Sequence, residues 1–217
     1  RLAGRLKADF QVNSALKFGA NMSYTHFDSN SIGEDGNGGS SGNIFAYATG
    51  IAPIYPLFIR DGEGNILKDD NGFLRYDYGD GENAGFSRPF LPGGNAYSAN
   101  LLDVSNSEGN AMNATGFAEI RFLKDFKFTW TSGVNVDETR TTYTTNEYYG
   151  SYASSNGMIS KYHTRTLAYN HQQLLNWTKE IGSHNIAVML GHEAYVNRYY
   201  YLYANKNNRF DPNNNEL

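Results

Sequence analysis

Residues 172–198 read QQLLNWTKEIGSHNIAVMLGHEAYVNR, and they constrain the fold more than any other stretch. Leu167, Tyr169, His171, Gln173, Leu175 and Trp177 fall on alternate positions before a break at 179–183. Ile186, Val188, Leu190, His192, Ala194 and Val196 do the same after it. Asn170, Gln172, Asn176, Ala187, Gly191, Glu193 and Asn197 fill the positions between. Period-two alternation is the mark of an extended strand with one apolar and one wet face. Gly182 and Ser183 supply the turn of an antiparallel hairpin. Both arms outrun the roughly five or six residues of an average globular strand.

Composition agrees with strands. Tyr (17), Phe (13) and Gly (23) are abundant and Pro (5) is scarce, and aromatic residues suit pleated surfaces. Cys is absent, which excludes a disulfide framework and a thiolate metal site. A net charge of -4 leaves no basic footprint for nucleic acid. Apolar runs such as 186–190 fall far short of the roughly 20 residues of a membrane helix. A β-barrel is not excluded, because its strands carry only half their residues on the lipid side. The chain opens on Arg1 inside an alternating run and closes in an Asn-rich segment; we read it as a piece of something larger.

The same alternation recurs along the chain. It predicts strands at about 2–10, 15–28, 111–122, 126–142, 159–178 and 184–202. A long irregular segment, about 29–110, interrupts them. It begins with a Gly/Ser-rich tract too polar to pack, and 43–50 has the composition for one or two helical turns. Turn chemistry at 61–65 and 69–72 predicts small hairpin arms at 66–68 and 73–76. The connections after the first, third and fifth strands are short, and those after the second, fourth and sixth are long. In an up-and-down meander all short turns then lie at one end, as in outer-membrane barrels. Ten steps at ~3.3 Å per residue and ~45° tilt climb about 23 Å, close to the ~25 Å apolar band of such barrels. Phe10, Phe122, Phe126 and Trp177 lie beside the short turns, and Tyr24, Tyr143, Tyr162 and Tyr199 towards the long loops. We assign Phe10, Tyr24, Phe122, Phe126, Trp177 and Tyr199 to the membrane interfaces. The expected fold is therefore all-β: about six long strands of an antiparallel transmembrane barrel. The alternative is a soluble β-rich carbohydrate-binding or adhesin module with a second sheet over the apolar face.

Residues 174–195, LLNWTKEIGSHNIAVMLGHEAY, resemble the late-barrel hairpin of SusC/RagA-type TonB-dependent transporters of Bacteroidetes. Residues 5–26 resemble an earlier hairpin of that family, and 50–65, GIAPIYPLFIRDGEGN, its long extracellular segment. Leu190-Gly191-His192-Glu193 is the most specific piece. The resemblance implies a 22-stranded outer-membrane barrel with an N-terminal plug, energised through TonB. It implies a SusD-like lipoprotein over the mouth and glycan oligomers or peptides as cargo. The plug and the TonB-contacting box are not within this chain, and six strands cannot close such a barrel. Its partners would be the remainder of the barrel and plug, the lipoprotein, TonB through the missing N-terminal part, and outer-membrane lipid.

No catalytic constellation emerges. Residues 38–42, GGSSG, match a nucleophile-elbow pattern but lack the strand and helix that pattern needs. Gly79 to Ala84 loosely match a dinucleotide loop without its βαβ context. His171 and His192 share a face on opposing strands, but no third ligand accompanies them. The expectation is no cofactor. Among metals, a loop calcium on Asp61, Asp69 and Asp70 is the best option, although the spacing is not that of an EF-hand. The loop aromatics Tyr55, Phe86, Phe90, Tyr97, Tyr148 and Tyr149 are candidates for cargo or lipoprotein contact, or for a small core of the loop itself.

Overall fold

The computed structural model describes residues 1–31, 49–83, 85–90, 94–148, 153–209, 211 and 214–217. Six strands dominate: β1 Leu2–Gln11, β2 Leu16–Asn30, β3 Val104–Phe122, β4 Phe126–Thr145, β5 Met158–Ile181 and β6 His184–Asn207. They form one sheet in sequence order, so the meander is antiparallel throughout. β1 and β2 pair Leu6 with Met22, Ala8 with Ala20 and Phe10 with Phe18. That register brings the apolar positions of both strands onto one face, because a slip of one residue would move the whole set to the other.

Contacts divide the chain into two units. The first comprises Arg1–Asp28, Glu108–Arg140 and His163–Leu202. Its apolar face is not covered: Leu2, Leu6, Phe10, Trp130, Val188 and Leu190 are all exposed, Leu190 by 70%. Among the described residues no second sheet packs on it. Two close approaches tie β2 to β3 on the polar face. A Cβ at Gly19 would sit 2.6 Å from the Phe117 ring, and one at Gly109 would meet the Phe27 ring and Glu138 O at 2.9 Å. Each strand thus lays an aromatic ring over a glycine of its neighbour, which replaces the missing side-chain contact.

The second unit comprises Ser29–Ser107, Thr141–Tyr162 and Tyr203–Leu217. Its core is a three-pass ring. Ile59 N–H donates to Arg75 O at 2.9 Å, Arg75 N–H to Leu67 O at 2.9 Å, and Leu67 N–H to Ile59 O at 3.0 Å. The passes stand eight residues apart, and so do Asp61, Asp69 and Asp77. Each of these carboxylates accepts the N–H two residues on: Glu63 at 2.9 Å, Asn71 at 2.9 Å and Gly79 at 2.7 Å. The expected arms at 66–68 and 73–76 are present as bridges Arg60–Ile66, Lys68–Leu74 and Phe58–Tyr76. A helix, α1 (Ala96–Leu102), follows, where the sequence reading had only loop. Asn95 begins it: its side chain accepts from Tyr97 N and Ser98 N, the usual service of an N-cap asparagine. Residues 49–50 are helical; the remainder of the helical turns expected over 43–50, and the tract 38–42, lie outside the described residues.

Candidate functional site

The polar face of the first unit holds a hollow of about 310 Å³ whose lining includes Asn113, Thr115, Thr131, Asn135, Asn170 and Gln172, with Tyr195 from β6. Alternation puts these side chains there, opposite the Leu and Val positions. The lining has amides, hydroxyls, the phenols of Tyr169 and Tyr195 and the small apolar Gly133, Val134 and Ala168, but no charged side chain. Asn170 Oδ1 is buried without a hydrogen-bond partner. Such an acceptor is costly unless a donor reaches it. Elsewhere on that face two ion pairs run along single strands, Lys7 with Asp9 at 3.2 Å and Arg121 with Glu119 at 2.9 Å, and Glu193 accepts from the Gln172 amide at 3.3 Å.

The opposite face carries a wider, shallow apolar hollow of about 640 Å³. Ala8, Ala20, Ala114, Gly116 and Ala118 form its floor, with Leu6, Phe18, Met22 and Trp130 among the larger groups. Phe10 stacks on Phe18 at 5.4 Å and Phe122 on Phe126 at 5.4 Å, so the aromatics beside the short turns form paired plates. Tyr24 shares this face and donates to Asn110 Oδ1 at 2.6 Å. Tyr199 does not join it. Period two groups Tyr199 with Tyr195 and Tyr203, and Tyr195 lines the polar hollow. The distance of Tyr199 along the strand still matches the long-loop margin, while its parity is that of the polar positions.

In the second unit, rings from three strands meet. Tyr162 stands edge-on to Tyr143 at 5.7 Å and lies against Tyr203 at 4.6 Å. Sequence reasoning noted Tyr143 and Tyr162 only as a girdle; their common parity with the polar positions was the available signal. The loop candidates divide. Tyr55 meets Phe90 at 5.9 Å, Tyr97 meets Phe58 at 5.7 Å, and Tyr148 meets Phe73 at 4.9 Å. These rings pair with one another, while Phe73, Phe90 and Tyr97 keep more than a third of their surface exposed. Phe86 is 63% exposed, and among the described residues it has no ring partner. Tyr149 lies outside the described residues.

Polar chemistry in this unit holds shape. Arg88 is buried and donates to Gly94 O at 2.8 Å and Phe90 O at 3.1 Å. Asn95 Nδ2 donates to Leu57 O at 2.9 Å and Asp77 O at 3.0 Å. The Asp61 carboxyl is held below its ordinary value, first by the side-chain hydrogen bond from Asn65. Burial pushes the Asp103 carboxyl up, against hydrogen bonds from Asn146. Asp61 and Asp69 turn an oxygen to backbone donors, and Asp70 is exposed. Among the described residues no three His, Asp or Glu side chains gather as a metal cage. His171 and His192 turn to separate partners, Ser132 Oγ at 2.9 Å and Gln173 Oε1 at 2.6 Å.

No protein-family model matches the chain, and no curated protein matches it. Solved structures do. The chain is similar to the RagAB peptide importer in its closed-closed state, with 22% identity and a TM-score of 0.61. It is similar to the open-open state with 21% identity and a TM-score of 0.62, and to the RagAB peptide transporter with 23% and 0.58. In each case the match covers 94% of this chain and 21% of that chain. The chain thus has the all-β, up-and-down fold of a barrel segment of a RagA-like transporter and spans about a fifth of such a chain.

Proposed function

We propose that this chain is wall and mouth of an outer-membrane importer of peptides or glycan oligomers. The observation that carries the reading is the two-faced sheet. Long strands leave one face of Leu, Val, Ala and Trp uncovered and give the other an uncharged amide and hydroxyl hollow. In a bilayer the first face meets hydrocarbon and the second lines water. Fold similarity to structures described as peptide importers adds weight to peptides, whose backbone N–H groups suit the acceptor of Asn170.

The chemistry is recognition and passage, with no covalent step. Amides exchange hydrogen bonds with cargo, and the tyrosines of β4, β5 and β6 offer stacking surfaces. Movement would come from a plug driven through TonB. Phe86, with the exposed Ile54 and Leu101, would face a SusD-like lipoprotein. Alternate-residue labelling of β6 in the whole transporter tests the reading. Cysteines at Ala187 and Gly191 should react with a membrane-impermeant maleimide after outer-membrane permeabilisation, and cysteines at Val188 and Leu190 should not. Equal reaction at all four positions would favour a water-soluble β-module instead.

A further inference from the structure

A cluster of cations stands on the apolar face where its apolar character ends. Gln172 bonds Glu193 at 3.3 Å and Gln173 bonds His192 at 2.6 Å. Further along, the rings of Tyr162 and Tyr203 meet at 4.6 Å. Both ends of this stretch keep one register, which sets Arg165 opposite Tyr200 and Arg198 opposite Leu167. Arg165 and Arg198 are therefore diagonal neighbours, about 7–8 Å apart at the backbone. Their parity is that of Leu175, Trp177 and Val188, so they share the apolar face.

Height along the strand places them. Trp177 to Arg165 is twelve residues and Val188 to Arg198 is ten. At ~3.3 Å per residue and ~45° tilt these climb about 28 and 23 Å. The apolar band is ~25 Å tall, so both arginines sit at its margin on the long-loop side, at the level of lipid headgroups.

The charge there is unbalanced. Glu138 is shared by Arg140 at 3.1 Å and His163 at 2.8 Å. Arg165 and Arg198 are exposed, and among the described residues neither has an acidic partner within 4 Å. Two like charges a diagonal step apart repel. An anion between them removes that cost. A guanidinium fork binds phosphate with two parallel hydrogen bonds, and the long arginine stems can lie on the apolar surface while the heads reach out.

We infer that Arg165 and Arg198 form a binding site for the phosphate of a lipid headgroup on the outer side of the barrel wall. The inference rests on the membrane reading above. It makes this face a site for one resident lipid and not merely a greasy surface.

Native mass spectrometry of the whole transporter in detergent, titrated with phosphatidic acid, tests it. Wild type should retain phosphatidic acid over phosphatidylcholine. The Arg165→Gln/Arg198→Gln variant should bind it at least ten-fold more weakly, since each interfacial cation contributes roughly 1 kcal/mol to anionic lipid. Equal binding by variant and wild type, or equal binding of the two lipids, overturns the site. Competition by inorganic phosphate at matched concentration would assign the arginines to free anions and overturn it too. Heat-modified gel mobility checks that the variant barrel is folded. The cysteine pattern on β6 separates the two failures. If the pattern holds and lipid binding does not respond, only this inference falls.

Discussion

Gln173 and His192 share a 2.6 Å hydrogen bond across β5 and β6, on the face that otherwise carries Leu175, Trp177, Val188 and Leu190. Beside them Ser132 and His171 are joined at 2.9 Å. In hydrocarbon such a pair is worth roughly 0.6 kcal/mol, but a lone buried polar group costs about 1–3 kcal/mol. On the membrane reading, His192→Leu alone should therefore destabilise the barrel by about 1 kcal/mol or more. Adding Gln173→Leu should recover most of that. Urea unfolding of the whole transporter refolded into vesicles checks both values.

Gly19→Ala should be destabilising by about 1–3 kcal/mol, because overpacking forces neighbours off their rotamers. The new methyl would lie 2.6 Å from the Phe117 ring and 2.9 Å from Ala8 O. Gly116→Ala is the control. Its nearest neighbour would be 3.8 Å away, and its stability should change by less than roughly 0.5 kcal/mol. A Phe117→Ala background should relieve part of the Gly19→Ala penalty in the same unfolding assay.

The turn between β3 and β4 is strained. Leu123 and Lys124 have φ of 50° and 61°, the left-handed region that costs an L-residue roughly 1–2 kcal/mol. Asn-Gly is the preferred pair for two such residues in a hairpin. Leu123→Asn with Lys124→Gly should raise stability by about 1 kcal/mol. No gain in unfolding midpoint would show that the exposed Leu123 offsets its strain elsewhere.

Asp103 makes part of the loop unit pH-dependent. Burial raises its carboxyl above the ordinary value, although Asn146 N and Nδ2 donate to it at 2.8 and 2.7 Å. The folded form keeps the proton to higher pH than the unfolded chain. Its contribution to stability is therefore full below the unfolded value, near pH 4, and is lost as pH rises through the folded value. Protection of the Asn146 amide from hydrogen exchange, corrected for intrinsic rate, should fall across that window. Asp103→Asn should flatten the profile, since its side-chain oxygen still accepts from Asn146.

Asn95 joins four backbone groups, two donors and two acceptors, from a fully buried position. Asn95→Ala removes a helix cap worth about 1 kcal/mol and strands two buried carbonyls. Proteolysis within 94–102 should accelerate at least ten-fold. Asn95→Asp keeps the cap and loses the amide donors, so it should fall between.

The strands were legible because apolar residues recur at every second position: the β6 arm shows it from Ile186 to Val196. Their ends were less legible. β3 begins at Val104, ahead of the expected 111, because Ser105, Asn106 and Ser107 show no apolar alternation. They are held instead by polar partners: Ser31 N–H donates to Ser105 O, Asn106 bonds Asn30, and Ser107 bonds Thr141. β5 and β6 likewise run past 178 and 202, to Ile181 and Asn207. In the loop, turn residues marked the hairpins correctly. The closing of the ring by Ile59, Leu67 and Arg75 was not visible, since backbone N–H and C=O groups make it and any residue carries those. The eight-residue spacing of Asp61, Asp69 and Asp77 was the clue.

Among the described residues β1 and β6 each pair on one side only, so every second peptide group along Leu2–Gln11 and His184–Asn207 lacks a ladder partner there. Such borders are templates for any strand that comes near. Left open in water, this ribbon would zip to copies of itself and sink out of solution. On the importer reading, neighbouring staves would have to reach both borders before copies do, which would make the order of assembly part of what the chain encodes.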